Sequence, residues 1–216
     1  MKIHYLFSLI FVFILFSCQK SSTPNPDTYL FDFNFNINNS FLIETSGELI
    51  STNNGYLMDE YIYDNIGTFV SNLFISDGLI PDTLISVCGN YNYLENPTAE
   101  IRIWFPFSTL QEGLYTYNKD SAINDFTMSI IRNISFDSTA INNNNQIVSS
   151  DIVASTYGST NIPNGINLAQ IKIDNANSVN AELKFVVINN SGEIIKGSYI
   201  GNLELFKLKS SSADCD

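Results

Sequence analysis

Apolar and polar residues alternate with a period of two along much of the chain after Tyr29. In the stretch 31–37, every second residue is phenylalanine or isoleucine, and aspartate or asparagine lies between them. The same alternation recurs at 101–107, 171–174 and 183–187. Successive side chains of a strand point to opposite faces, so this pattern predicts strands with one buried side and one side in contact with solvent.

Turn-forming residues separate the predicted strands. Asn54-Gly55 lies between two apolar stretches, and such a pair accepts the positive φ angles of a tight hairpin turn. The run 189–192 (NNSG) separates the last two predicted strands. Gly197 and Gly201 interrupt the final strand, which is typical of a bulge or of a close backbone contact.

Short strands with polar turns and no amphipathic helix are typical of all-β proteins. We therefore predict an all-β fold, a single antiparallel β-sandwich or barrel-like domain over residues 29–208, followed by a polar tail at 209–216. The composition agrees, because 44% of the residues are hydrophobic and only 15% are charged, which is enough apolar material for a core.

The first residues of the chain differ from the rest. Lys2 precedes an apolar stretch at 6–16 that only Ser8 interrupts. A helix that crosses a bilayer needs about 20 apolar residues, so this stretch is too short to span and is typical of a signal-peptide core. We predict a signal peptide at 1–17 and a flexible polar tether at 18–28, where two prolines favour an extended chain.

The apolar stretch ends at Leu15-Phe16-Ser17-Cys18, which resembles the lipobox of bacterial lipoproteins. The resemblance implies that a lipid is attached to the Cys18 thiol, that the preceding peptide is removed, and that the new amino group is acylated by a fatty acid such as palmitate. Two or more acyl chains anchor a protein more firmly than one chain can, so the lipid bilayer is the first expected partner.

Two further features concern the place in the envelope. The residue after the cysteine is Gln19 and not the aspartate associated with inner-membrane retention, so the resemblance implies the outer membrane. Residues 20–22 (KSS) lack the acidic pattern of surface-exported lipoproteins, and the sequence leaves open whether the protein faces the periplasm or the cell surface.

The stretch 181–206 resembles the closing hairpin of uncharacterised all-β outer-membrane lipoproteins with a G-x-Y/F-x-G pattern, here at 197–201.

The charge balance excludes several classes of function. The chain carries 22 acidic and 10 basic residues, a formal charge of −12, whereas a nucleic-acid partner requires a basic surface.

The only histidine, His4, lies in the predicted signal peptide. The mature chain would therefore lack the imidazole that Ser-His-Asp, Cys-His and zinc-histidine sites require. No catalytic residue and no cofactor is predicted.

Besides Cys18, the chain contains two cysteines, Cys88 and Cys215. In an oxidising envelope an even pair could form a disulfide that ties the C-terminal tail to a strand. The alternative is a small buried Cys88 and a free Cys215, because geometry decides whether two cysteines can pair.

Aromatic residues are the best candidates for recognition. If Ile101, Ile103 and Phe105 face the core, Trp104 and Arg102 point to the opposite side of their strand. There the indole could stack on a sugar ring or fill a pocket of a protein partner, with Arg102 supplying donors. The alternative is that a further layer covers Trp104. Three tyrosine pairs with the same spacing are additional candidates, at 61/63, 91/93 and 115/117.

Two other patterns suggest modification or ion binding. Aspartate followed by serine or threonine and then a small or aliphatic residue resembles an O-glycosylation acceptor of some Gram-negative envelopes, which marks Thr83, Ser121 and Ser138. Oxygen-rich groups at 59–64 and 118–125 contain the ligand types that Ca²⁺ prefers. Neither group has the spacing of an EF-hand loop, and no metal site is predicted.

Three functions are consistent with these features. The leading interpretation is a non-enzymatic, membrane-anchored envelope lipoprotein that serves as a binding or accessory module for a protein partner. The second is a glycan-binding module that uses exposed aromatic side chains. The third is a hydrolase with a pair of carboxylates, although the sequence singles out no such pair.

Overall fold

The computed structural model describes residues 30–63, 68–78, 97–107, 109–136, 147–157, 162–176 and 180–205. Within these ranges the chain forms eleven strands and no helix. In chain order the strands are β1 (Ser40–Ile43), β2 (Glu48–Ser51), β3 (Asn54–Tyr63), β4 (Thr68–Ser76), β5 (Ala99–Phe105), β6 (Gly113–Asn118), β7 (Thr127–Phe136), β8 (Ile147–Ser155), β9 (Ile166–Ala176), β10 (Asn180–Asn189) and β11 (Ile194–Leu205).

One curled sheet joins the strands in the order β6-β9-β10-β11-β3-β4-β5-β7-β8 and forms a half-barrel. The short hairpin β1–β2 lies beside β11. Among the described strands, neighbours are antiparallel at every pairing except that of β11 with β3, which is parallel. The all-β prediction with a barrel-like sheet is confirmed. The single parallel pair among the described strands arises because β11 returns to lie beside β3.

The core lies between the two halves of the curled sheet, β6-β9-β10-β11 and β3-β4-β5-β7-β8. Phe105 of β5 meets Tyr115 of β6 with ring centroids 5.1 Å apart, and it meets Phe126 at 6.2 Å. Tyr115 and Tyr117 are therefore core residues and not a recognition surface. Burial, together with the charge of Asp125, raises the pKa of Tyr115 to about 12.

The predicted hairpin at Asn54-Gly55 is wrong, and the one at 189–192 is confirmed. β3 begins at Asn54, and β2 pairs with β1 instead of β3. Gly55 lies against the ring of Tyr199, where a Cβ atom would overlap the ring, so the glycine lets β3 approach β11 closely. Gly192 has a φ of +83° and donates to the Asn189 carbonyl oxygen at 3.0 Å, which closes the turn between β10 and β11.

The stretch 31–37 is extended but is not a strand, contrary to the prediction. It crosses the outer face of β9, β10 and β11, and side chains bind its main chain in place of a ladder. Gln170 Oε1 accepts from the Leu30 N–H at 2.8 Å, and Lys184 Nζ donates to the Phe33 carbonyl oxygen at 3.2 Å. Ser198 Oγ donates to the Ile37 carbonyl oxygen. We call residues 30–38 the N-terminal arm.

Gly197 marks a close contact between neighbouring strands and not a bulge. It lies opposite Phe185 in the β10–β11 register, which continues without a shift through this position. A Cβ atom at Gly197 would overlap the Phe185 ring. The ring therefore occupies the space that a side chain at position 197 would need.

Gly197→Ala should lower the free energy of unfolding by about 1–3 kcal/mol, because the new methyl group competes with a fully packed ring. Combining Gly197→Ala with Phe185→Leu in a double variant should recover part of that loss. As a control, Gly192→Ala should cost about 1 kcal/mol through its positive φ and should be additive with Phe185→Leu. Urea unfolding measures the three single and the two double variants, and additive losses for Gly197→Ala with Phe185→Leu would contradict the contact.

Candidate functional site

Trp104 lies on the outer face of the sheet, on the side opposite the core. Its neighbours Ile103 and Phe105 are buried, whereas Trp104 itself is half-buried. The pairing register places it directly between Asn72 of β4 and Thr127 of β7. Residues directly opposite one another share a face of the sheet, so these three side chains form one row.

Tyr157, which follows β8, completes an aromatic surface around Trp104. The two rings meet edge to face, with centroids 5.2 Å apart and an interplanar angle of 82°. The Tyr157 hydroxyl lies 2.8 Å from Thr127 Oγ1, which fixes the ring across β7. Tyr157 is 51% exposed. We call Trp104, Thr127 and Tyr157 the aromatic surface.

Asn72 places an unused acceptor beside the aromatic surface. Its side chain is only 7% exposed, and its Oδ1 atom has no hydrogen-bond partner within the described ranges. A buried amide oxygen without a partner is unfavourable, and this oxygen has essentially no contact with solvent, so a ligand could bond to it only if the neighbouring side chains move.

Arg102 shares the face with Trp104, but its guanidinium is already engaged. Arg102 Nη2 lies 3.1 Å from Glu100 Oε2, and Arg102 Nε also bonds to this carboxylate. The Arg102 Cζ atom lies 5.1 Å from the centroid of the Phe74 ring. Glu100 is only 2% exposed, so loss of Arg102 would leave this buried carboxylate without its ion-pair partner. Arg102 thus supports the sheet, and Trp104 carries the potential for recognition.

Most of the other predicted site residues lie outside the described ranges, namely Cys18, Thr83, Cys88, Ser138 and Cys215. Ser121 is described, and it is exposed in the loop after β6. Its Oγ donates to the Ile123 carbonyl oxygen at 2.6 Å and accepts from the Ile123 N–H at 3.2 Å. Ser121 therefore lies on the surface, and its hydroxyl group is bonded to the main chain of the local turn.

The oxygen-rich residues after β6 bind main-chain amides. Asp125 Oδ2 accepts from the Thr116 N–H at 2.7 Å, and Asn124 Oδ1 accepts from the Asn118 N–H at 2.8 Å. These bonds cap the free edge of β6. In the part of the chain that the structure describes, no three His, Cys, Asp or Glu side chains come together as a metal site.

Sequence reasoning missed Tyr157 and Asn72. Both residues lie beside Trp104 in space but are distant from it in the chain. Asn72 is on β4, which pairs with β5, and Tyr157 reaches Trp104 across β7, the other neighbour of β5. The only local signal is an aromatic residue just before Gly158 at the end of an apolar run.

Comparison of the chain with protein-family models, curated proteins and solved structures finds no match. Within the described ranges there is also no helix of sufficient length and apolar character to cross a bilayer. The function must therefore be argued from the aromatic surface and from the sequence signals at the N-terminus.

Tyr157→Ala should shift the tryptophan emission to longer wavelength and increase its quenching by acrylamide, because the tyrosine edge no longer covers the indole. Trp104 is the only tryptophan, so the spectrum reports this position alone. Loss of the ring pair should also cost about 0.5–1.5 kcal/mol of unfolding free energy.

Tyr157→Phe is the matched control for this fluorescence experiment, because it keeps the ring and removes only the hydroxyl. Its emission should stay close to that of the unmodified chain. An emission maximum that is unchanged in Tyr157→Ala would contradict the contact between the two rings.

Proposed function

We propose that the chain is an envelope lipoprotein, anchored in the outer membrane through acylated Cys18, that works as a non-enzymatic binding or accessory module for an envelope protein. The observation that carries the binding role is the half-exposed Trp104 beside Tyr157 on the outer face of the sheet. Tryptophan and tyrosine are the residues that contribute most to the energy of protein interfaces.

The position of the N-terminal arm supports this arrangement. The arm lies on the outer face of β9 and β10, whereas Trp104 lies on the outer face of the opposite half of the sheet. The two outer faces point away from each other because both inner faces meet in the core. A chain tethered through the arm therefore presents the aromatic surface on the side away from its attachment.

The tether length is compatible with such an anchor. Leu30 is twelve residues after Cys18, so the folded part would lie at most about 40 Å from the lipid when the tether is fully extended. A flexible chain of this length has a typical span of about 20 Å. The protein would stay close to the bilayer and still turn its aromatic surface toward a partner.

A glycan-binding module is the second candidate, and one observation favours it. Trp104 is partly exposed beside the exposed Tyr157, so the two rings offer an aromatic surface on which a sugar ring can stack.

Cys18→Ser should prevent lipidation and release the protein from the membrane fraction, or leave its signal peptide uncleaved. Detergent phase partitioning and the intact mass of the purified protein measure both effects. A mature wild-type protein whose mass includes no acyl chains would refute the anchor.

Trp104→Ala should abolish co-purification of the envelope partner that the lipidated wild-type protein retains in stoichiometric amount. Leu49→Ala is the control, because Leu49 is 61% exposed on β2, away from the aromatic surface. The partner should stay bound to this control. Retention of the same partner by a folded Trp104→Ala variant would refute the protein-binding role. A glycan array that responds to the wild type and not to Trp104→Ala would establish the second candidate instead.

A further inference from the structure

A second candidate site lies at one end of the core, where β8 approaches the β1–β2 hairpin. It is a cleft of about 500 Å³ with core residues Ile43 and Val153 in its lining. Arg132, Asp151 and Glu193 bring charged groups to the same cleft. A cavity of this size is typical of small-molecule sites, and polar side chains outnumber apolar ones among the described residues that line it.

A β-bulge places the charged groups of this cleft. The β7–β8 register shifts between Arg132 and Ser135, and Asn133 has a φ of +51°. The Asn133 Nδ2 atom donates to Asp151 Oδ2 at 2.7 Å, so the residue in the bulge fixes the Asp151 side chain that lines the cleft. Bulges redirect side chains in this way next to binding sites.

Arg132 has a donor that no described residue satisfies. Its Nη1 atom bonds to Glu48, but its Nε atom is buried and has no hydrogen-bond partner among the described residues. The Asp151 Oδ2 atom lies 4.0 Å from this Nε, which is too far for a hydrogen bond. Because this Nε has essentially no contact with solvent, a ligand that offers an acceptor atom would satisfy it once the guanidinium shifts toward the cleft.

The charges around the cleft limit the nature of that acceptor. Among the described residues around the cleft, there are three carboxylates, those of Glu48, Asp151 and Glu193, and one guanidinium, that of Arg132. The carboxylates would repel an anionic acceptor, whereas a neutral hydroxyl can accept from Arg132 and donate to a carboxylate at the same time. The cleft therefore suits a neutral polyhydroxylated molecule.

An added peptide strand is less suitable, because Asn164 occupies the free edge of β8. Its Nδ2 atom donates to the Ile152 carbonyl oxygen at 2.6 Å, and its own carbonyl oxygen accepts from the Ser155 N–H at 2.9 Å. Strand addition needs these main-chain groups to be available. We propose that the cleft binds a neutral saccharide of one or two sugar units, at a site separate from the aromatic surface and independent of the membrane anchor.

Isothermal titration of the full chain, in a detergent without a sugar headgroup, tests the proposal. The probes are glucose, galactose, mannose, maltose and cellobiose, with glucosamine and glucuronate as cationic and anionic counterparts. At least one neutral sugar should bind with a Kd of about 1 mM or tighter. Arg132→Lys, which keeps the charge for Glu48 but removes the Nε donor, should weaken this binding about tenfold or more.

One control variant separates this site from the rest of the molecule. Asp174→Asn, at an exposed position of β9, should leave the affinity unchanged. Glu193→Gln provides a second test of the cleft if Arg132→Lys fails to fold, and it should also weaken binding about tenfold or more. Absence of binding to every neutral probe, preference for a charged probe, or loss of binding in Trp104→Ala with full binding in Arg132→Lys would overturn the proposal.

Discussion

The whole sheet depends on β11, which pairs along both of its edges. One edge joins β10, while the other joins β1 near its start and β3 near its end. This one continuous strand thus belongs to both halves of the curled sheet, and it lets their inner faces meet. Tyr199 fills the junction, because Gly55 and Gly201 leave room for its ring and the Asn202 carbonyl oxygen accepts from its hydroxyl at 2.6 Å. Burial raises the pKa of Tyr199, in agreement with its enclosed position.

The two outer faces of the sheet are used differently. The N-terminal arm crosses the face formed by β9, β10 and β11, where Lys184, Gln170 and Ser198 bind its main chain. The opposite half leaves Trp104 and Tyr157 partly exposed. The N-terminal arm and the aromatic surface therefore lie on opposite sides of one core, which is compatible with the tethered binding module that we propose.

Polar side chains protect the backbone where the strand ladders end. Asn124 and Asp125 cap the edge of β6, and Asn164 occupies part of the edge of β8. Unpaired edges are sites where foreign strands add, so these amide and carboxylate groups limit aggregation. At β8 the same protection leaves the cleft beside Arg132 open to a small molecule and not to another strand.

The sequence by itself determined which residues of a strand share a face, because alternation is a local property that needs only the neighbouring residues. The inward side chains of β5 and the outward position of Trp104 follow from it, and the turn at Gly192 follows from the turn-forming residues 189–192. Only the tertiary structure decided which strands are neighbours. The meeting of Tyr157 with Trp104, the packing of Gly55 under Tyr199 and the bulge that places Arg132 in the cleft depend on pairings between distant segments. The N-terminal arm shows the same limit, since its alternation is that of a strand while its hydrogen bonds go to side chains. A period of two indicates that a segment is extended with one side buried. It does not indicate which other segment lies beside it.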